Sequence, residues 1–188
     1  MRVVLASRNA HKIVEMRRIA PHLDWVTMPA ELDDPPETGD TFEANALQKA
    51  RFVFEKTGML ALADDSGLEV DALGGRPGVR SKRYSPEGND AANNALLLRE
   101  LGDRTDRTAR YRCVIAVVGP GVERTAAGAC EGAIGFEGRG ANGFGYDPYF
   151  FPTGSTRTMA ELEPGEKDAI SHRGAALAHL PALLAGLD

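Results

Sequence analysis

The sequence predicts an α/β fold built around a mixed sheet, and three stretches carry that prediction. Arg2 to Ala6 is a continuous apolar run, β-branched at Val3 and Val4, that opens into the polar segment Ser7 to Lys12; Ile13, Met16, Ala20 and Leu23 then recur at helical spacing. Leu60 to Ala63 is a second short apolar run, and it stops at Asp64-Asp65-Ser66-Gly67. Ala109–Val118 and Thr125–Gly132 read as two strands joined across Gly119-Pro120-Gly121, hence an antiparallel hairpin. Parallel-type strands beside a hairpin make the sheet mixed.

A chain of 188 residues fits one domain, or one domain with a small lobe, and can bury a substantial core. Its 43% hydrophobic and 26% charged content is ordinary for a soluble globular protein, and no repeat or low-complexity segment is visible. The apolar stretch after Met1 is too short for a signal peptide and no run approaches a membrane span, so a cytoplasmic protein with no membrane partner is expected. Cys113 and Cys130 stand far apart in apolar surroundings without metal-ligand spacing, and read as two buried free thiols. A net charge of −5 argues against a nucleic-acid partner. Any anionic ligand must then be held by a local basic cluster.

Taken in order, the elements place several chemical groups. The loop Ser7 to Lys12 ends at a helix N-terminus, where free backbone N–H groups and the positive dipole end favour an anion and Lys12 adds a point charge; a capped helix start with a solvated lysine reads the same residues. Pro29, Pro35, Pro36 and Gly39, among several acids, mark a loop leading into the next helix, for which Asp40 and Glu43 form a capping box. In that helix Phe42, Ala46, Leu47, Ala50, Val53 and Phe54 form the apolar face, and Asn45 and Lys49 share another. The two adjacent acids Asp64 and Asp65 repel and need a cation, solvent or a proton between them, unless the four residues are simply a turn. Ala91 to Leu101 is a further amphipathic helix. Residues 138–148 set four glycines around Phe144, Tyr146 and Asp147, suiting either close approach to a flat ring or a loop whose aromatics turn inward. Ser171 reads as the N-cap of a last helix through Ala176, Leu180, Leu183, Leu184 and Leu187. His172 and Arg173 in its first turn oppose the dipole, which suggests a ligand.

The ordered set Ser7-x-Asn9-x-x-Lys12, Phe42-Glu43-x-Asn45-Ala46-x-x-Lys49-Ala50, Ala63-Asp64-Asp65-Ser66-Gly67-Leu68, Gly143-Phe144-Gly145-Tyr146-Asp147-Pro148 and Ser171-His172-Arg173-Gly174 resembles the inosine triphosphate pyrophosphatase family over nearly the whole chain. The resemblance implies one elongated two-lobed α/β domain spanning 1–188, a long mixed sheet, a nucleotide cleft between lobes, Mg2+ as cofactor and a homodimer. It also implies hydrolysis of ITP, dITP or XTP to the monophosphate and pyrophosphate. Carried over by motif, Ser7, Arg8, Asn9, Ala10, His11, Lys12 and Lys49 hold the triphosphate, Asp65 with Lys49 is catalytic, and Ser66 touches substrate. Glu37, Asp65 and Asp64 are the implied metal ligands. Phe144, Gly145, Tyr146 and Asp147, with Lys167, His172 and Arg173, surround sugar, base and phosphate, His172 and Arg173 being the donors aimed at a C6 oxygen. Arg8 and His11 stand where many relatives have glycine.

Three other readings share parts of this pattern. Haloacid-dehalogenase-type phosphatases also end a strand in acids, but at DxD spacing, whereas Asp64 and Asp65 are adjacent. A purine-nucleotide sensor would keep the pocket without turnover. The septum-related Maf nucleotide pyrophosphatases share similar chemistry, and product profiles across bases separate them.

Overall fold

The computed structural model describes residues 1–187 as a six-stranded open mixed sheet with helices. The strands are β1 (Arg2–Leu5), β2 (Asp24–Thr27), β3 (Ala61–Val70), β4 (Thr108–Gly119), β5 (Val122–Ile134) and β6 (Phe150–Pro152), in the order β2-β1-β3-β4-β5-β6. The helices are α1 (Ala10–Ile19), α2 (Phe42–Thr57), α3 (Asp90–Leu101), α4 (Pro164–Ile170), α5 (His172–Leu177) and α6 (Leu180–Leu183). β1 pairs in parallel with both β2 and β3, while β5 and β6 are antiparallel. Only Pro120 and Gly121 separate β4 from β5, so that pair is the expected hairpin. Among the described residues no helix is long and apolar enough to cross a membrane.

Two compact units divide the chain. The first comprises Met1–Asp65, Cys113–Gly128 and the residues from Arg173 onward. Its core gathers Val3, Leu5, Met16, Leu62, Ile115, Val117, Leu177 and Leu180, each almost wholly buried and each stabilising the unit by about 1.5–3 kcal/mol for the larger side chains. The second comprises Ser66–Arg112 and Ala129–His172, with Leu68, Leu97, Leu101, Ile134, Phe150 and Met159 at its centre. Cys113 and Cys130 are both free and buried, as expected, and burial pushes their thiols up to about 12 and about 11.

Local chemistry explains the element ends, including three that differ from expectation. α2 is capped by Thr41 rather than Asp40: the Thr41 hydroxyl accepts the Ala44 N–H at 3.1 Å, so the helix starts one residue later and Glu43 bonds the Thr125 hydroxyl instead of closing a capping box. Its far end is Gly58 at φ 67°, whose N–H returns to the Phe54 carbonyl at 2.8 Å. The last helix is two short ones. Pro181 in the first turn of α6 has no N–H to offer the preceding turn, so the helical run breaks after Leu177 and restarts at Leu180. Finally, β3 does not stop at Asp64. It runs on through Asp64-Asp65-Ser66-Gly67 to Val70, which removes both the strand-end and the turn readings of that stretch.

β2 and β6 carry no sequence signal of their own. Each is too short to show a period, and each is fixed by a neighbour, β2 by register with Arg2 to Leu5 and β6 by register with Gly132 to Ile134.

Candidate active site

In the first unit the order β2-β1-β3 reverses direction at β1, since the chain leaves β1 towards β2 on one side and β3 lies on the other. In open α/β sheets ligands gather beyond the carboxyl ends of strands at such a reversal. The segment leaving β1 there is Ser7 to Lys12. Asn9 is the N-cap of α1, its Oδ1 accepting the N–H groups of His11 at 3.0 Å and Lys12 at 3.3 Å, and Ser7 Oγ accepts the Asn9 N–H at 3.2 Å. The cap of the capped-helix reading is present, with Ala10 and His11 exposed at the rim, but its solvated lysine is not: Lys12 is largely buried and pairs with Asp64 at 2.9 Å.

Arg8 turns away from that loop. Its guanidinium donates to the carbonyls of Pro29 at 3.2 Å, Ala30 at 3.4 Å and Leu32, and pairs with Asp34 at 2.9 Å. The guanidinium expected at a phosphate instead ties down the proline-rich segment.

Consecutive residues of a strand point to opposite faces, and this separates the two acids of β3. Asp64 is taken by Lys12 Nζ at 2.9 Å and by Arg173 Nη2 at 3.2 Å. Arg173 reaches Glu15 of α1 with its other arm. Burial alone would raise the Asp64 pKa, but Lys12 and Arg173 hold it well below the carboxylate range. Asp64, expected among the metal ligands, thus belongs to a buried ion-pair chain Glu15, Arg173, Asp64, Lys12. Arg173, expected at the base, has its side chain 1% exposed and sits between two carboxylates.

Asp65 faces α2. Its Oδ1 accepts from Lys49 Nζ at 3.1 Å and its Oδ2 from Asn45 Nδ2 at 3.1 Å, one helical turn apart on the same face. Lys49 also holds Glu37 at 2.8 Å. The segment bearing Glu37 is gripped by α2: Asn45 Oδ1 accepts the Gly39 N–H at 2.8 Å, and Gln48 exchanges hydrogen bonds with Thr38 at 3.1 and 2.9 Å. Burial pushes the Asp65 carboxyl up against the pull of Lys49 and Lys12. Burial also opposes the charge of Lys49, yet Asp65, Asp64 and Glu37 outweigh it and raise its pKa. Lys49 stays charged, and Asp65 is held between burial, which favours its neutral form, and two ammonium groups, which favour its carboxylate.

In the second unit Ser66 is half-buried in β3. The glycine-rich segment divides its aromatics. Tyr146 turns inward and its hydroxyl donates to the Ser81 carbonyl at 2.8 Å, while Phe144 is half-buried with the Lys167 ammonium 4.9 Å from its ring centroid. Asp147 organises the rest. It accepts Lys167 Nζ at 2.6 Å and the Phe144 N–H at 3.0 Å on Oδ2, and the Tyr111 hydroxyl at 3.0 Å on Oδ1. A side chain at Gly143, where φ is 75°, would place Cβ 2.1 Å from Asp147 Oδ2, so glycine is required for this turn. His172 stacks on Tyr111, centroids 4.7 Å apart and planes inclined by 13°.

Of the residues that complete these sets, Asn45 is legible in the sequence as the face-mate of Lys49, and two others are not singled out there. Glu15 left a signal, an acid beside Met16 in an otherwise apolar part of α1. Tyr111 left none, since a tyrosine on a buried strand reads as core.

A family model described as the Ham1 family matches residues 3–183. The dITP/XTP pyrophosphatase of Nocardia farcinica is 51% identical over 202 aligned positions, covering 100% of this chain and 97% of that protein. The dITP/XTP pyrophosphatase of Mycobacterium tuberculosis is 50% identical, covering 97% of this chain and 95% of its own. Among solved structures the Staphylococcus aureus Ham1 protein superposes with a TM-score of 0.89 at 40% identity, covering 100% of both chains.

Proposed function

The chain belongs to the Ham1 family, and we propose that it hydrolyses noncanonical purine nucleoside triphosphates, dITP, XTP and ITP, to the nucleoside monophosphate and pyrophosphate, cleansing the nucleotide pool. The observation that carries this reading is the buried Lys49 ammonium held between Glu37 at 2.8 Å and Asp65 at 3.1 Å. It sets a fixed cation and two acids side by side, which phosphoryl transfer needs and a nucleotide sensor does not.

In this mechanism Asp65 orients a water and accepts its proton as the water attacks the α-phosphorus, its carboxylate kept from rotating by Asn45. Lys49 and Lys12, each preset by an acid, take up the negative charge of the triphosphate, with the Ser7 to Lys12 backbone beside them. Arg173 acts one step back, holding Asp64 and through it Lys12. Phe144 offers its face to the base, and Asp147, Lys167 and His172 serve the nucleoside and its α-phosphate. An acceptor at C6 of hypoxanthine or xanthine satisfies a His172 donor, whereas the adenine amino group leaves two donors facing each other.

Glu37 and Asp65 fit Mg2+. Both are oxygen donors already gathered on one cation, and Mg2+ takes one or two carboxylates with water and substrate phosphates completing its shell. Bound there, Mg2+ supplies neutralisation of the phosphate charge. A cytoplasmic homodimer belongs to the same proposal, and sedimentation equilibrium reads its mass directly.

The test is Asp65→Asn. Turnover of dITP should fall by about 100-fold or more while dITP still binds, because the proton acceptor is lost and the pocket is not. Wild-type turnover in a folded variant overturns the assignment.

A further inference from the structure

One residue of the glycine-rich segment is held from outside by α3. Asp90, in the first turn of that helix, accepts the Gly145 N–H on Oδ2 at 2.6 Å. Asn94, one turn on, donates Nδ2 to the Gly145 carbonyl at 2.8 Å. An i, i+4 pair shares one helix face, so the two side chains grip both polar groups flanking a single residue. Neither is needed to start the helix, because Asn89 already caps it through the Ala92 N–H at 3.0 Å. Asn94 is buried at 7% exposure and its Oδ1 finds no hydrogen-bond partner, a cost that an apolar side chain would avoid. What the residue contributes is its donor.

Gly145 lies at φ 66°, and glycine loses more conformational freedom on ordering than any other residue. Without an external tie the peptide after Phe144 has many alternatives. From inside the segment, Asp147 holds the Phe144 N–H at 3.0 Å. The backbone is therefore pinned on both sides of the Phe144 ring.

We infer that Asp90 and Asn94 are positioning residues for nucleoside recognition: by clamping the N–H and the C=O of Gly145 they set the plane of the Phe144 ring against which the base stacks. The inference rests on the reading that Phe144 takes the base. It assigns to α3 a share in specificity although the helix supplies no group to the substrate.

Asp90 is exposed, so its replacement leaves the core intact. Asp90→Ala should raise KM for dITP and weaken dIMP binding by about five- to tenfold, less than the full worth of a charge-assisted hydrogen bond because the exposed contact acts on the base only through the Phe144 ring, with kcat changed less than about twofold. Inhibition by imidodiphosphate, which has no base, should stay at the wild-type value. Asp90→Asn keeps an acceptor oxygen and should recover most of the dIMP affinity. Asn94→Ala should move dIMP binding in the same direction, and if it fails to fold the Asp90 pair carries the test. Phe144→Ala serves as the reference. If it weakens dIMP binding and Asp90→Ala does not, the clamp is overturned and the role of Phe144 stands. If Phe144→Ala leaves dIMP binding unchanged, the reading of Phe144 falls and the clamp with it. Equal losses for dIMP and imidodiphosphate in Asp90→Ala would also overturn the inference, by showing a general disturbance.

Discussion

Asp64 and Asp65 are neighbours in β3, yet they answer to different cations: Asp64 to Lys12 at 2.9 Å and Arg173 at 3.2 Å, Asp65 to Lys49 at 3.1 Å. Strand alternation reduces the repulsion between adjacent carboxylates by sending them to opposite faces, though Asp64 still helps to raise the Asp65 pKa. One acid becomes a structural anchor and the other faces the helix that carries Lys49. The two substitutions should accordingly behave differently.

For Asp64 the effect is on stability and on its pH dependence. Its folded pKa lies far below the unfolded value of about 3.9, so its contribution is fully present above that value and is lost as pH falls towards the folded pKa. Asp64→Asn leaves Lys12 and Arg173 facing a neutral group, and should cost about 3–5 kcal/mol at pH 7. Urea unfolding followed from pH 7 to pH 3 should show the gap to wild type constant down to about pH 4 and narrowing below it. A gap that widens in acid would contradict the ion-pair account.

The same chain of charges makes Arg173 a stability residue first. Removing the guanidinium leaves Glu15 and Asp64 buried without their shared cation, so Arg173→Ala should lower stability by about 3–5 kcal/mol, whereas His172→Ala, which gives up a stack on Tyr111, should cost less. Thermal unfolding of the two variants decides. Wild-type stability in Arg173→Ala would mean that the buried pairs do not form in solution.

Lys12 and Lys49 are expected to separate phosphate binding from nucleoside binding. Lys12→Ala and Lys49→Ala should each weaken triphosphate binding by about 1.5–3 kcal/mol, the worth of a charge-assisted contact, with a smaller loss for the monophosphate. Titration calorimetry with dITP and dIMP on catalytically silent Asp65→Asn backgrounds measures both. Equal losses for the two ligands would show that the lysines serve only their present carboxylate partners.

Much of this architecture is readable from the chain because the signals are local. The run Val3 to Leu5, the periodic residues of α1 and α2 and the Pro120-Gly121 turn each specify their element within a few residues. What cannot be read is pairing at long range. Nothing near Glu15 announces Arg173, which lies 158 positions away, and nothing near Asp90 announces Gly145, 55 positions away. Arg173 reads as a ligand donor for a sound reason, a cation opposing a helix dipole, and the structure supplies compensating charges to it from β3 and α1. Arg8 is a similar case. Its partners are Asp34 and the backbone carbonyls of residues 29, 30 and 32, and no sequence pattern displays the carbonyls.

The central claim is hydrolysis of a purine triphosphate by water attack at the α-phosphorus, and mass spectrometry of the products of dITP turnover in 18O-water tests it most directly. The account predicts one 18O atom in dIMP, with unlabelled pyrophosphate released beside it. Label in orthophosphate, with dIDP left behind, would contradict it.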